Sequence, residues 1–230
     1  TPLYSSAASD VYKRQVLKAG DIAFTEERLF FAEPEIFKIL TIPLIQGEAE
    51  TVLNNSGAIV LSLSMAKKYF GDENPLGKSI TMDNRYLFQV TGIMEDVPTN
   101  SHLHFDFLAS YLTLKGVYGS GDNDYFHGLR NFSDNVTAVY ARLAKGVDGS
   151  DMEAKIPSFL DRKFPARPDD QGRLVKVSSQ IFLRFMPVKD IHLRSHTRKE
   201  FEPNGDIRYV VLFTIIALFI LAIACINFIN

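Results

Sequence analysis

The sequence predicts an α+β globular part followed by one transmembrane α-helix, and three observations predict it. Runs of period-two alternation are intermixed with runs of helical spacing, without the strict strand–helix repetition of a parallel sheet. Two of the alternating runs, KSITM and YLFQVTGIM, are separated only by Asp83-Asn84-Arg85, a hairpin signal. The chain closes on VVLFTIIALFILAIACI, residues 210–226, which carries no charge. The 230 residues have a net charge of −2, which gives no electrostatic argument for nucleic acid. The one cysteine, Cys225, excludes an intrachain disulfide.

Residues 1–15, TPLYSSAASDVYKRQ, show no periodicity that continues into residue 16 and beyond. They are read as a non-native or disordered lead-in and left out of the fold. Pro34 suits the first turn of a short helix, EPEIFKIL, which IPLIQGE carries into a loop. Residues 58–61 form an apolar run of strand type. Ser62 or Ser64 then caps the helix SMAKKYF, which Gly71 ends. After the hairpin, HLHFDFLA alternates strictly and reads as a further strand. The polar stretch GVYGSGDNDYFHG separates this unit from a second.

The second unit opens with a strand, VTAVYARL. Ser150 and Glu153 have capping-box spacing, and Met152, Ile156, Phe159, Leu160 and Phe164 form one apolar stripe. Pro157 kinks that helix or marks its first turn. PARPDDQG is a linker, and LVKVS and IFLRFM are expected to return as strands.

With Tyr209 and the tail NFIN, the C-terminal stretch gives roughly 20 residues, enough as a helix to cross a hydrocarbon core of about 30 Å. The membrane helix is placed at residues 209–230, and its end reads as a truncation. Lys189, Arg194, Arg198, Lys199 and Arg208 precede it, but the charge rule compares both flanks, so topology stays open on charge. Asn227 and Asn230 share a helix face, which hints at a bundle, although an interfacial position explains them equally.

The stretch FGDENPLGKS resembles a phosphate-gripping loop with Gly71 and Gly77-Lys78-Ser79 nearly in order. Such a loop needs four residues between its glycines and runs from strand to helix. Here five residues intervene, the expected polarity is helix to strand, Asp72 and Glu73 would repel phosphate, and Pro75 lacks an N–H. The loop is therefore read as structural, with no nucleotide cofactor. His102, His104 and Asp106 share one face of the alternating segment and could hold a divalent ion, but a solvated face opposite buried phenylalanines explains them without metal. Asp190, His192 and His196 form a second loose cluster lacking a well-spaced third ligand. No nucleophile elbow is present, and the only thiol lies in the apolar stretch. The triplets at Asn54, Asn131 and Asn135 match a glycosylation acceptor, a pattern that arises readily by chance. No catalytic, cofactor-binding or metal residue is assigned.

FAEPEIFKILTIPLIQGE, AIVLSLSMAKKYFGDENPLGKSI and FQVTGIMEDVPTNSHLHFDFLAS together resemble the extracytoplasmic domain of MacB-like ABC transporter permeases. DIHLRSH and NGDIRYVVLFTIIALFILAIACINFIN resemble the entry into the second membrane helix of the FtsX-like permease core, in the style of Bacteroidetes-type bacteria. The resemblance covers nearly all of residues 24–230, with residues 111–180 matching in layout more than in residues.

It implies a two-lobed periplasmic domain, with residues 16–110 and 181–205 in a membrane-proximal lobe and 111–180 as an inserted lobe. It also implies a non-catalytic permease subunit in the bacterial inner membrane, paired with a second permease copy and with an ABC ATPase domain or subunit. Membrane lipid and a periplasmic partner protein are the further partners implied; nucleic acid is not. The implied function is a relay, in which ATPase-driven helix motion is coupled to export or extraction of substrate on the extracytoplasmic side. Two rivals remain from the residues alone: a single-pass membrane-anchored sensor or ligand-binding domain, and a membrane-anchored hydrolase with metal at His102, His104 and Asp106.

Overall fold

The computed structural model describes residues 4–10, 14–114, 137–195 and 205–229. The chain divides into two compact units, Thr1–Ala144 and Lys145–Asn230.

The first unit is built on one ten-stranded mixed sheet. Its elements run β1 (Tyr4–Asp10), β2 (Gln15–Ala19), β3 (Ile22–Glu26), β4 (Leu29–Ala32), α1 (Ile36–Ile39), β5 (Leu44–Gln46), β6 (Ala58–Ser62) and α2 (Leu63–Phe70). They continue as β7 (Ser79–Met82), β8 (Tyr86–Met94), β9 (Phe107–Ser110) and β10 (Thr137–Arg142). The order across the sheet is β10-β1-β4-β9-β6-β8-β7-β2-β3, with β5 attached to β8. Pairing is antiparallel except between β4 and β9 and between β6 and β8.

The hairpin of β7 and β8 forms as its sequence predicts. Asp83 and Asn84 take φ of 52° and 54°, the left-handed geometry of a tight turn. Asp83 also exchanges bonds with β2: its N–H donates to the Val16 carbonyl (2.8 Å) and its Oδ1 accepts from the Val16 N–H (2.9 Å). The turn thus fastens the hairpin to its neighbour. Gly47 is required at the β5–β8 crossing. It has φ of 96°, and a Cβ there would stand 2.6 Å from Val52 Cγ1 and 2.9 Å from the Thr91 carbonyl.

The core lies on the α2 side of the sheet. Leu17, Leu29, Phe31, Ile59, Ile80 and Phe107 are wholly buried there, and α2 turns Ala66 and Tyr69 into them. Each large apolar side chain so buried contributes about 1.5–3 kcal/mol before the entropy of ordering it is counted. Leu103, Phe105 and Phe107 are buried while His102, His104 and Asp106 are half-buried, so the alternation of HLHFDFLA is reproduced in exposure as far as Phe107, after which Leu108 and Ala109 are both buried. Regular pairing begins only at Phe107, however, because that is where β4 and β6 flank the chain.

Residues 4–10, which their sequence marks only as a lead-in, form β1. It pairs with β10 from Tyr4 opposite Arg142 to Ser9 opposite Thr137, and with β4 through Ala8, Ser9 and Asp10. Strand β10 falls within residues 111–180 yet belongs to this sheet, because β1 takes its hydrogen bonds. The division between compact units therefore comes after it.

The second unit holds α3 (Gly149–Glu153), α4 (Ile156–Lys163), β11 (Arg167–Pro168), β12 (Leu174–Val175), α5 (Val188–Arg194) and α6 (Ile207–Ile229). The capping box sits two residues earlier than Ser150 and Glu153. Asp148 is the N-cap, accepting from the Ser150 N–H (2.9 Å), and the Asp151 carboxylate accepts from the Asp148 N–H (3.2 Å). Pro157 occupies the first turn of α4, where its missing N–H costs nothing. LVKVS contributes only the short β12 before a 3-10 turn, Val177–Ser179. IFLRFM forms no strand. It has no sheet neighbour, Pro187 follows it, and the Phe185 N–H donates to the Glu153 carboxylate instead (2.7 Å). Helix α6 carries no charged residue after Arg208, is exposed along its length, and is long and apolar enough to cross a membrane.

Candidate functional site

Among the described residues, no group of three or more His, Cys, Asp or Glu side chains is placed to hold a metal ion. His102 instead turns its Nε2 to the Tyr140 hydroxyl, 3.1 Å away, with the two rings edge to face. His104 is half-buried beside it in the chain. Asp106 is held by its backbone, whose N–H donates to the Arg28 carbonyl (2.9 Å) and whose carbonyl accepts from the Ser62 N–H (2.9 Å). In the second cluster Asp190 faces Arg194 at 3.8 Å, and His192 is exposed; His196 lies outside the described residues.

The loop between α2 and β7 has committed the amides a phosphate would need. Gly71, at φ of 60°, closes α2 through its N–H to the Lys67 carbonyl. The Leu76 N–H donates to Asn74 Oδ1 (3.2 Å), Gly77 N–H to the Val90 carbonyl (2.8 Å) and Lys78 N–H to the Pro75 carbonyl (3.1 Å). Lys78 pairs with Glu73 and lies over the Phe70 ring. The loop runs from helix to strand, as its sequence indicates, and serves to join α2 to the sheet.

Besides the Ser62 cap, two polar braces from distant residues hold α2, and neither brace is visible as a sequence motif. At its N-terminus Ser62 is the cap, accepting from the Met65 N–H (3.3 Å). Ser64 lies inside the helix and donates through its N–H (3.0 Å) and hydroxyl (2.6 Å) to Asp96. At its C-terminal end, the buried Glu26 of edge strand β3 accepts from the Tyr69 hydroxyl (2.7 Å) and Lys68 Nζ (2.8 Å). Burial, then the Glu26 hydrogen bond and charge, push the Tyr69 phenol far above its ordinary range, so it stays a donor. Lys68 Nζ also stands 4.4 Å over the Phe24 ring.

The two aspartates near this helix have opposite pH signatures. Burial pushes the Asp106 carboxyl up, Arg28 opposes the shift, and Glu26 and Asp96 reinforce it. Burial also acts upward on Asp96, but the Ser64 hydrogen bonds outweigh it and hold Asp96 below its ordinary range. A depressed aspartate stabilises the fold above its unfolded pKa of about 3.9 and loses that contribution as pH falls through the folded value. A raised one imposes a cost at neutral pH that is relieved as pH falls through the folded value toward the unfolded one. Asp96→Ala is therefore expected to destabilise by about 1 kcal/mol at pH 7, with the difference vanishing in acid. Asp106→Asn is expected to raise the melting temperature at pH 7 and to lose that advantage in acid. Thermal unfolding followed by circular dichroism across pH distinguishes the two.

The entry to α6 is the other built feature. Asp206 accepts from the Arg208 N–H (2.8 Å) and binds its guanidinium twice (2.8 and 2.5 Å), which caps the helix start. Just before it, the position a Cβ on Gly205 would take lies 3.1 Å from Leu193 Cδ2 and 3.6 Å from His192 Nε2. Helix α5 thus lies against Gly205, two residues before α6 begins. Sequence reasoning passed over Asp206, although an aspartate just before an apolar run is an N-cap signal.

Among the described residues the chain thus carries a mixed-sheet unit and, in its second unit, one helix long and apolar enough to cross a membrane. The family described as the MacB-like periplasmic core domain matches residues 1–159. The chain belongs to that family: it is a MacB-like periplasmic domain of an ABC transporter permease. The macrolide export ATP-binding/permease protein MacB of Aggregatibacter actinomycetemcomitans is 25% identical over 148 residues, 63% of this chain but 21% of that protein. In fold, the chain is similar to a crystallised domain assigned to a permease of Porphyromonas gingivalis. That match has a TM-score of 0.55 at 20% identity and covers 70% of each chain. The periplasmic region of MacB from Actinobacillus actinomycetemcomitans aligns over 68% of this chain and 65% of that one, with a TM-score of 0.46 at 20% identity.

Proposed function

We propose that this domain is a mechanical relay of an ABC permease, passing ATPase-driven movement of membrane helices to an extracytoplasmic task of export or extraction. The observation that carries the reading is the junction at Gly205 and Asp206, where α5 packs against the residue that leads into the capped start of α6. A capped helix whose lead-in is held against α5 moves with α5, and a flexible tether would not. In this reading α6 crosses the bacterial inner membrane and the head lies in the periplasm. The membrane-proximal lobe draws on residues 16–110 and 181–205. Residues 111–180 are inserted between them and return one strand, β10, to the sheet.

The domain performs no chemistry of its own. Nucleotide hydrolysis belongs to an ATPase domain or subunit on the other side of the membrane, and the permease works as a pair of copies with a periplasmic partner receiving the substrate. The related MacB is named as both ATP-binding and permease, and the family that matches this chain is its periplasmic core domain. In the intact transporter, replacing residues 16–205 by a short polar linker is expected to leave ATP hydrolysis in place and to abolish export. Export that survives the replacement overturns the relay.

A further inference from the structure

We propose that residues 182–194, resting on the reading that α6 crosses a bilayer, lie in the lipid interface as a second membrane contact of the head. Residues 182–189 are all exposed. Phe182 is 80% exposed, and Leu183, Phe185, Met186 and Val188 are between 37% and 44% exposed. So dense an apolar run is not left to water without a use. The run is held in place: the Phe185 N–H is fixed by Glu153, and the Phe185 Cβ is 3.0 Å from where a Cβ on Gly149 would stand.

Two observations say what covers it. The first is position. Helix α5 begins within the run and reaches Gly205 through His192 and Leu193, so the apolar residues stand beside the point where the chain enters lipid. The second is charge. Arg184, Lys189, Arg194 and Arg208 stand in and beside the run; the acidic groups there among the described residues are Glu153, on the Phe185 N–H, and Asp190 and Asp206, each facing an arginine, so Arg184 and Lys189 are the cations left to the run. Apolar side chains interleaved with cations match the boundary between acyl chains and anionic headgroups, where long basic side chains reach phosphate while their stems stay in apolar surroundings. The occupant is a lipid surface containing anionic headgroups.

The test uses the whole chain in vesicles of phosphatidylcholine and phosphatidylglycerol, with Cys225→Ser as background and an environment-sensitive dye on one introduced cysteine. Phe182→Cys and, separately, Met186→Cys report on the run, Ile216→Cys on the membrane helix and Leu87→Cys on the exposed sheet face. Dyes at Phe182 and Met186 are expected to lose fluorescence to brominated lipid, as the Ile216 dye does, while the Leu87 dye yields only to aqueous iodide. Arg184→Gln with Lys189→Gln is expected to reduce that loss.

Should the Ile216 dye respond to lipid while those at Phe182 and Met186 yield only to iodide, the inference fails and the membrane helix stands. Shielding of Phe182 and Met186 from both quenchers overturns it in favour of a protein surface. A lipid-silent Ile216 dye overturns it together with the membrane reading on which it rests.

Discussion

A pair of glycines inserted after Gly205 in the intact transporter is expected to abolish export while ATP hydrolysis continues. The insertion keeps every residue of α5 and α6 but breaks the contact between α5 and the lead-in to α6. Gly205 stands against Leu193 and His192, and Asp206 caps α6 through Arg208. Two further residues with free φ and ψ would detach the cap from α5 and let the helix start turn without α5 following. The control is the same insertion after Gly172, in the turn between β11 and β12, where a side chain would meet no atom. Export there should persist. ATP-driven export that is unchanged by the insertion after Gly205 would mean that the head does not transmit motion through this connection.

Phe107→Ala is expected to cost about 3–5 kcal/mol, the largest loss of any single substitution considered for this fold. Phe107 opens β9, which lies between β4 and β6 at the middle of the sheet, and its side chain is wholly buried. Its ring meets Tyr69 edge to face, with centroids 6.0 Å apart. Truncation leaves a cavity under α2 and loosens the tyrosine whose hydroxyl anchors Glu26 and, through it, the edge strand β3. Leu87→Ala, on a side chain that is 66% exposed, should stay within about 0.5 kcal/mol of the parent. The chain has no tryptophan, so thermal unfolding in detergent is best followed by circular dichroism. Equal melting temperatures for the two variants would contradict the placement of β9 at the centre of the core.

Elements governed by their own residues were legible in the sequence. Helix α2 has its cap, its apolar face and its closing glycine within one short stretch. The β7–β8 hairpin has alternation on both sides of a turn that tolerates positive φ, and α6 needs only length and the absence of charge. What escaped was decided by residues far along the chain. YSSAASD carries no period, and becomes β1 because β4 and β10 supply its hydrogen bonds. IFLRFM is a nearly continuous apolar run, and without a neighbour to pair with such a run makes no strand. Acidic residues in SDME and in VDGSD offer competing capping boxes two residues apart, and Asp148 took the role. Of the polar braces on α2, Glu26 and Asp96 come from 43 and 32 residues away from Tyr69 and Ser64, a separation that no local pattern reports. The metal and nucleotide candidates were the opposite case, because spacing alone suggested chemistry and the partners of each group had to be seen.

The pairing of β1 with β10 sets an order on biosynthesis. Ala8, Ser9 and Asp10 can dock on β4 once residue 32 has emerged, but the rest of the first strand waits for a partner that is made more than a hundred residues later. Long-range pairing of this kind is slow and leaves a bare strand edge exposed meanwhile. A ribosome still adding residues to this chain therefore carries a head whose outermost seam is open, a natural point of attack for proteases and a natural hold for chaperones.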